Sequence, residues 1–172
     1  KEVARPYLER LAEISRETVH LVQLDGLYGV YIDKIDSPEA VGLLSRVGKR
    51  VMLHCTGAGK ALFAYLPDAV RERVYTEVGL PRQTEHTIVD RDAMEKELAK
   101  IRETGVSFDR MEARDGIRCV AAPIFFHNGG LAGSFSIAGP AFRFCPEENE
   151  HLVQLVLETS RKISKDLGYL PK

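Results

Sequence analysis

The stretch that decides the fold reads Ile117-Arg118-Cys119-Val120-Ala121-Ala122-Pro123-Ile124-Phe125-Phe126, then His127-Asn128-Gly129-Gly130, then Leu131-Ala132-Gly133-Ser134-Phe135-Ser136-Ile137-Ala138-Gly139. Two apolar-rich segments of strand length flank four residues that favour chain reversal, which predicts an antiparallel hairpin over 117–126 and 131–139. Upstream, residues 106–110 read as a strand. Nearer the start, Val19 and Leu21, then Leu27, Val30, Ile32 and Ile35, lie on either side of Asp25-Gly26 and predict a second antiparallel pair. Residues 40–44 are a candidate third strand, followed by a Gly48-Lys49-Arg50 loop into Val51-Met52-Leu53.

Helical periodicity fills the gaps. Val3, Tyr7, Leu11 and Ile14 fall on one face of a leading helix within residues 1–18, with Pro6 in or before its first turn. Thr56 is an expected N-cap for a helix over Gly57-Ala58-Gly59-Lys60 and on to about Leu66. Pro67-Asp68 restarts helical pattern as far as about Val78. Asp90 caps a helix over 91–103 that turns Met94, Leu98 and Ile101 inward, and Gly105 closes it. A last helix is expected from Pro146 to about Leu167, burying Leu152, Leu155, Val156, Ile163 and Leu167. The order α-β-β-β-α-α-α-β-β-β-α, without sustained βαβ alternation, indicates an α+β fold with an antiparallel sheet.

Composition narrows the function. The 172 residues carry 24 Lys+Arg against 25 Asp+Glu, a net charge of −1, so this stretch has no basic surface for gripping nucleic acid. Its three cysteines, Cys55, Cys119 and Cys145, form no CxxC pair, which argues for a reducing, cytoplasmic setting without a disulfide framework or structural zinc. The longest apolar run, 120–126, falls far short of the ~20 residues of a membrane span, and the opening pattern is not a signal peptide.

Few residues carry candidate chemistry. Gly57-Ala58-Gly59-Lys60 lacks both the first glycine and the following Ser or Thr of a phosphate-binding loop, since His54 and Ala61 stand there. Two readings remain for its glycines: exposed N–H groups that suit a carboxylate, or close packing of helix on sheet. Cys55 beside His54 and Cys119 beside Arg118 invite a thiolate reading, but strand neighbours point to opposite faces, so buried inert thiols are expected. None of the five histidines shows metal spacing, and neither a metal nor a cofactor is expected. Asp109 differs from the surface carboxylates because it brackets the strand that leads into the hairpin. No nucleophile–base–orienter set is visible.

Four stretches taken together are recognisable. They are Leu53-His54-Cys55-Thr56-Gly57-Ala58-Gly59-Lys60-Ala61-Leu62, Gly105-Val106-Ser107-Phe108-Asp109, Gly116-Ile117-Arg118-Cys119-Val120-Ala121-Ala122-Pro123-Ile124-Phe125 and Ser134-Phe135-Ser136-Ile137-Ala138-Gly139-Pro140. In this order and spacing they resemble the C-terminal effector-binding domain of the IclR family of bacterial transcriptional regulators, over nearly the whole chain. The resemblance implies a GAF-like domain, a curved antiparallel sheet with helices on both faces, and a winged helix-turn-helix domain before Lys1 that makes the operator DNA contacts. It also implies self-association as dimers or tetramers and binding of a small organic acid or aromatic carboxylate. The family's pocket then falls on Gly57, Ala58, Asp109, Ile117, Cys119 and Ser136, with Val51 and Leu43 as walls. Ala138 stands where many relatives have a second serine, which removes a hydroxyl donor and makes that side less polar. An enzyme of the same broad fold, using Cys119 as a redox or nucleophilic thiol, is the alternative.

Overall fold

The computed structural model describes residues 1–39, 43 and 45–170. Helix α1 (Arg5–Ser15) leads into strands β1 (Thr18–Asp25) and β2 (Tyr28–Ile35), turned at Gly26, whose φ of 62° suits glycine. A two-residue strand β3 (Arg50–Val51) pairs with β2. Then follow α2 (Gly57–Phe63), α3 (Asp68–Arg73) with a π turn over Val74–Val78, α4 (Arg91–Thr104), β4 (Ser107–Arg110), β5 (Ile117–Phe125), β6 (Leu131–Pro140), a 3₁₀ turn at Pro146–Glu148 and α5 (Glu150–Asp166). The six strands form one curled antiparallel sheet in the order β3-β2-β1-β6-β5-β4.

Most expected elements are present, and the departures have physical causes. Residues 40–42 and 44 of the expected third strand lie outside the described residues, and Leu43 is not in a strand; the strand that pairs with β2 is β3. Helix α2 stops at Phe63 rather than Leu66 because a residue before proline, here Leu66 before Pro67, is disfavoured in helical conformation. Pro146 opens only the 3₁₀ turn; α5 is capped by Asn149, whose Oδ1 accepts the Leu152 N–H at 3.0 Å. The buried stripe of α1 is Leu8, Leu11 and Ala12, with Ala4 just before it, whereas Val3 and Ile14 are 39 % and 46 % exposed. Small Ala4 and Ala12 let α1 lie close to the sheet, and the rotation lets Tyr7 donate from its hydroxyl to Asp166 at 2.6 Å.

Strand alternation divides the core in two. Val19 and Leu21 of β1, Val120, Ala122 and Ile124 of β5, and Phe135 and Ile137 of β6 pack against α1 and α5. On the opposite face, Val22 and Ala121 pack with α2 and α4 through Leu62, Phe63, Met94, Leu98 and Ile101. Strand β4 pairs with β5 only as far as Ala121, so the exposed edge beyond it is completed by α5: Ser160 donates to the Pro123 carbonyl at 2.6 Å and Ser164 accepts the Phe125 N–H at 3.0 Å. Pro123, which has no N–H, sits where β4 has ended.

Every residue of α2 is buried. A Cβ on Gly59 would come within 2.4 Å of both the Met52 carbonyl oxygen and the Thr56 Oγ1 that caps the helix. Gly59→Ala is therefore expected to lower the unfolding free energy by about 2–3 kcal/mol in chemical denaturation, whereas Thr56→Ala, which removes the cap and the hydroxyl's bond to the Met52 carbonyl, costs about 1–2 kcal/mol.

Candidate functional site

Between the start of α2, residues Leu43, Ser45 and 49–56, and the α2-facing side of the sheet lies a cavity of about 320 Å³. Its position follows from alternation and register. Asp109 of β4 is opposite Cys119 of β5, Cys119 is opposite Ala138 of β6, and Ser136 is opposite His20 of β1, so all five project to one face. Val51, Gly57, Ala58, Asp109, Ile117, Cys119, Ser136, Ala138 and Leu43 all line this one cavity.

The glycines at the start of α2 serve close packing. A Cβ on Gly57 would approach the Cβ atoms of Cys119 and Ala121 at 3.1 and 3.4 Å. Ser107 donates to the Gly57 carbonyl at 2.5 Å and Ser134 to the Ala58 carbonyl at 2.9 Å, which ties α2 to β4 and β6. The close-packing reading thus holds, and the same contact brings the N–H end of the first turn to the cavity wall.

Lys60 is fully buried, and its ammonium donates to Glu97 and Glu112, each at 2.9 Å. It is committed to this internal pair and does not line the cavity. Burial works against ionisation of Glu97, but the Lys60 and Arg110 charges hold its carboxyl below the usual range. For Glu112 burial outweighs Lys60, and the carboxyl is pushed up.

Asp109, 2 % exposed, accepts the Glu112 N–H at 2.7 Å and the Ala113 N–H at 3.4 Å through Oδ1, and the Cys119 thiol lies 3.7 Å from its Oδ2. Burial, helped by the Glu112 charge, pushes the Asp109 carboxyl up to about 7. The Cys119 thiol, buried beside that carboxyl, is raised well above its ordinary value, and burial pushes Cys55 up to about 12. Neither supplies a thiolate near neutral pH, which removes the physical basis for Cys119 as a nucleophile. His54 donates from Nε2 to the Pro81 carbonyl at 2.9 Å. Among the described residues no cluster of three or more His, Cys, Asp or Glu is placed to hold a metal, and no helix is long and apolar enough to cross a membrane.

The sequence reading missed part of the lining: His20, Tyr31, Ser45 and Arg114. His20 and Tyr31 stack at 4.5 Å, and His20 Nε2 is 2.6 Å from the Ser45 hydroxyl. Burial, with Lys34 nearby, lowers His20 to about 4, so its ring is neutral. Lys34 donates to the carbonyls of Leu43 and Ser45, which fastens that wall to β2. Alternation in β1 does place His20 opposite the Val19/Leu21 face, but only the pairing of β1 with β6 brings it beside Ser136.

Residues 1–165 match the family described as bacterial transcriptional regulator IclR C-terminal. The chain belongs to the IclR family. Among curated relatives it is 35 % identical to the HTH-type transcriptional regulator KdgR of Escherichia coli over 94 % of this chain and 62 % of that protein, so it spans less than two thirds of that relative's length. Among solved structures it superposes on the IclR of Thermotoga maritima with a TM-score of 0.91 at 36 % identity, over 98 % of this chain and 68 % of that one. An IclR homologue of Microbacterium hydrocarbonoxydans complexed with 4-hydroxybenzoate gives a TM-score of 0.86 at 27 % identity, over 96 % of this chain and 67 % of that one. The relatives of this IclR domain are named regulators, not enzymes.

Two measurements check the site's electrostatics. Iodoacetamide at pH 7.5 should label half-buried Cys145 first and leave Cys55 and Cys119 unmodified until unfolding, as read by mass spectrometry. Lys60→Met should cost about 3–5 kcal/mol in denaturant titration, because it strands two carboxylates that share one buried cation.

Proposed function

We propose that this domain binds a small organic acid effector in the cavity at the start of α2 and, through it, changes the operator affinity of a winged helix-turn-helix domain preceding Lys1 in the full regulator. The observation that carries the reading is the convergence of the motif residues, from Gly57-Ala58 to Asp109, Cys119 and Ser136, on one cavity in a chain of the IclR family. The 4-hydroxybenzoate complex of a neighbouring structure supports it. A volume of about 320 Å³ lies at the small end of the ~300–1,000 Å³ usual for ligand pockets and suits a short-chain or single-ring acid. Leu43, Val51, Met52, Ile117 and Ala138 offer apolar wall, while Ser136 and Tyr31 offer hydrogen bonds. In this reading the regulator acts in the cytoplasm as a dimer or tetramer, one domain serving as a single 172-residue sensor unit. The effector's influence on DNA is bounded by its differential affinity for the two states of that assembly.

Calorimetric titration with 2-oxo acids, sugar acids and aromatic acids tests the proposal. At least one should bind, and Ser136→Ala should weaken it about 5- to 20-fold, the loss of one to two kcal/mol expected for one buried hydrogen bond. Gly57→Val, which projects a side chain toward Cys119, should abolish binding, with circular dichroism confirming that the variant is folded. A null across the panel, or unaltered binding by both variants, rejects the cavity as the effector site.

A further inference from the structure

The cavity contains a carboxyl group at the place where an acid is proposed to bind, and two ionised carboxylates in one buried site repel strongly. The hydrogen bonds of Asp109 resolve the conflict. Oδ1 is used by two backbone N–H groups, of Glu112 and Ala113, which hold the carboxyl in one orientation. Among the described residues, Oδ2 has only the weakly polar Cys119 thiol as a partner, on the wall of the cavity. Among the described residues no Lys, Arg or His nitrogen pairs with Asp109. The nearest buried cation, Lys60, is engaged by Glu97 and Glu112.

We propose that Asp109 is a protonated hydrogen-bond donor in the liganded site, its Oδ2–H directed at an oxygen of the bound acid, so that effector binding takes up a proton. This rests on the reading of the cavity as the effector site. It assigns Asp109 the role of a specificity-determining donor for anions and carbonyl oxygens.

Burial and the Glu112 charge raise Asp109 against the Lys60 charge and the Glu112 and Ala113 N–H groups, which pull it down, and the raising side wins. On its own strand and the following loop Asp109 meets the Glu112 carboxylate and the exposed Arg114 guanidinium; from β5 it meets Cys119, from the segment before α2 Cys55, from α2 Lys60 with Glu97 of α4 behind it, from β2 Tyr31, and across the cavity from β1 His20. Burial holds Cys119, Cys55 and Tyr31 in their neutral forms, and His20 is neutral because its own value is low. With Asp109 lifted to about 7, an arriving carboxylate lifts it further and draws a proton from solvent. At pH 7 the uptake is about half a proton per ligand, approaching one by pH 8.5.

The test has a ligand-free arm and a ligand arm. Carbon-13 NMR of protein labelled at aspartate Cγ, with Asp109→Asn assigning the resonance, should show Asp109 titrating with a midpoint between 6 and 8. A midpoint below 5 overturns the proposal. Folding stability carries the same sign: because the folded form keeps a proton that the unfolded chain releases, wild-type stability should fall relative to Asp109→Asn as pH rises from about 4 to about 7.

In the ligand arm, 4-hydroxybenzoate and pyruvate serve as probes, both monoanions from pH 6 to 8.5. Their heats of binding, measured in buffers of different ionisation enthalpy, report proton uptake. The wild-type Kd should rise toward tenfold per pH unit above about pH 8, and Asp109→Asn, whose amide donates without titrating, should show a flat Kd over the same range. Equal proton uptake by both proteins, or a flat wild-type Kd, overturns the coupling. Failure of both probes to bind counts against the effector reading, and the NMR midpoint then decides the state of Asp109 by itself.

Discussion

The seating of α2 is the constraint on which the rest of the structure depends. A seven-residue helix with no exposed residue needs a partner for every polar group it brings inside. Thr56 caps it, Ser107 and Ser134 bond its first two carbonyls from β4 and β6, and Glu97 and Glu112 neutralise Lys60. Gly59 brings its backbone to the Met52 carbonyl at a distance no side chain permits, and Gly57 lets it seat tightly on Cys119 and Ala121 of the sheet. The helix therefore sits rigidly at one end of the cavity, and its first turn forms part of the wall.

The pairing of β1 with β6 has equal reach because it joins two hairpins distant in the chain. Val19 opposite Ile137 and His20 opposite Ser136 make the two hairpins one sheet, with the α1/α5 core on one side and the cavity on the other. Arg143, which bonds Glu17 through two nitrogens at 2.7 and 2.9 Å, fixes the chain just after β6 against the start of β1. Burial reduces the charge at the base of the cavity: His20 is neutral, and Asp109, lifted to about 7, is only about half ionised at pH 7. Cationic side chains lie at the rim, where Arg114 and Lys49 are exposed. An anion entering such a site exchanges water for fixed dipoles, with the cations of the rim steering its approach.

Much of this was legible in the residues. Gly129 and Gly26, both with positive φ, mark the two hairpin turns, and Asp90 and Gly105 bound α4 as capping chemistry dictates. The site residues were legible through motif resemblance, not through chemistry: no isolated property of Ile117 or Ala138 marks it as cavity wall. The α1 stripe through Val3, Tyr7, Leu11 and Ile14 shares Leu11 with the buried face but is rotated from it, because Leu8, next to Tyr7, is the residue that the sheet takes in with Ala4 and Ala12. The true cap of α5, Asn149, was obscured by Pro146, which starts 3₁₀ and α turns equally well.

By itself, then, the sequence determined the elements, the α+β class and the family, because turn chemistry, capping and alternation are local and act within a few residues. Only the tertiary structure decided which strands are neighbours, that Lys60 is internally paired, and that His20 and Tyr31 share the cavity with Asp109. Those outcomes depend on pairings across 37 to 159 residues of chain, such as Lys60 with Glu97 and Tyr7 with Asp166, and on the loss of solvent around the groups they enclose. Protonation belongs to the second category for the same reason. An aspartate has its ordinary acidity in any sequence, and the burial and neighbouring carboxylate that shift Asp109 exist only after the chain has closed around it.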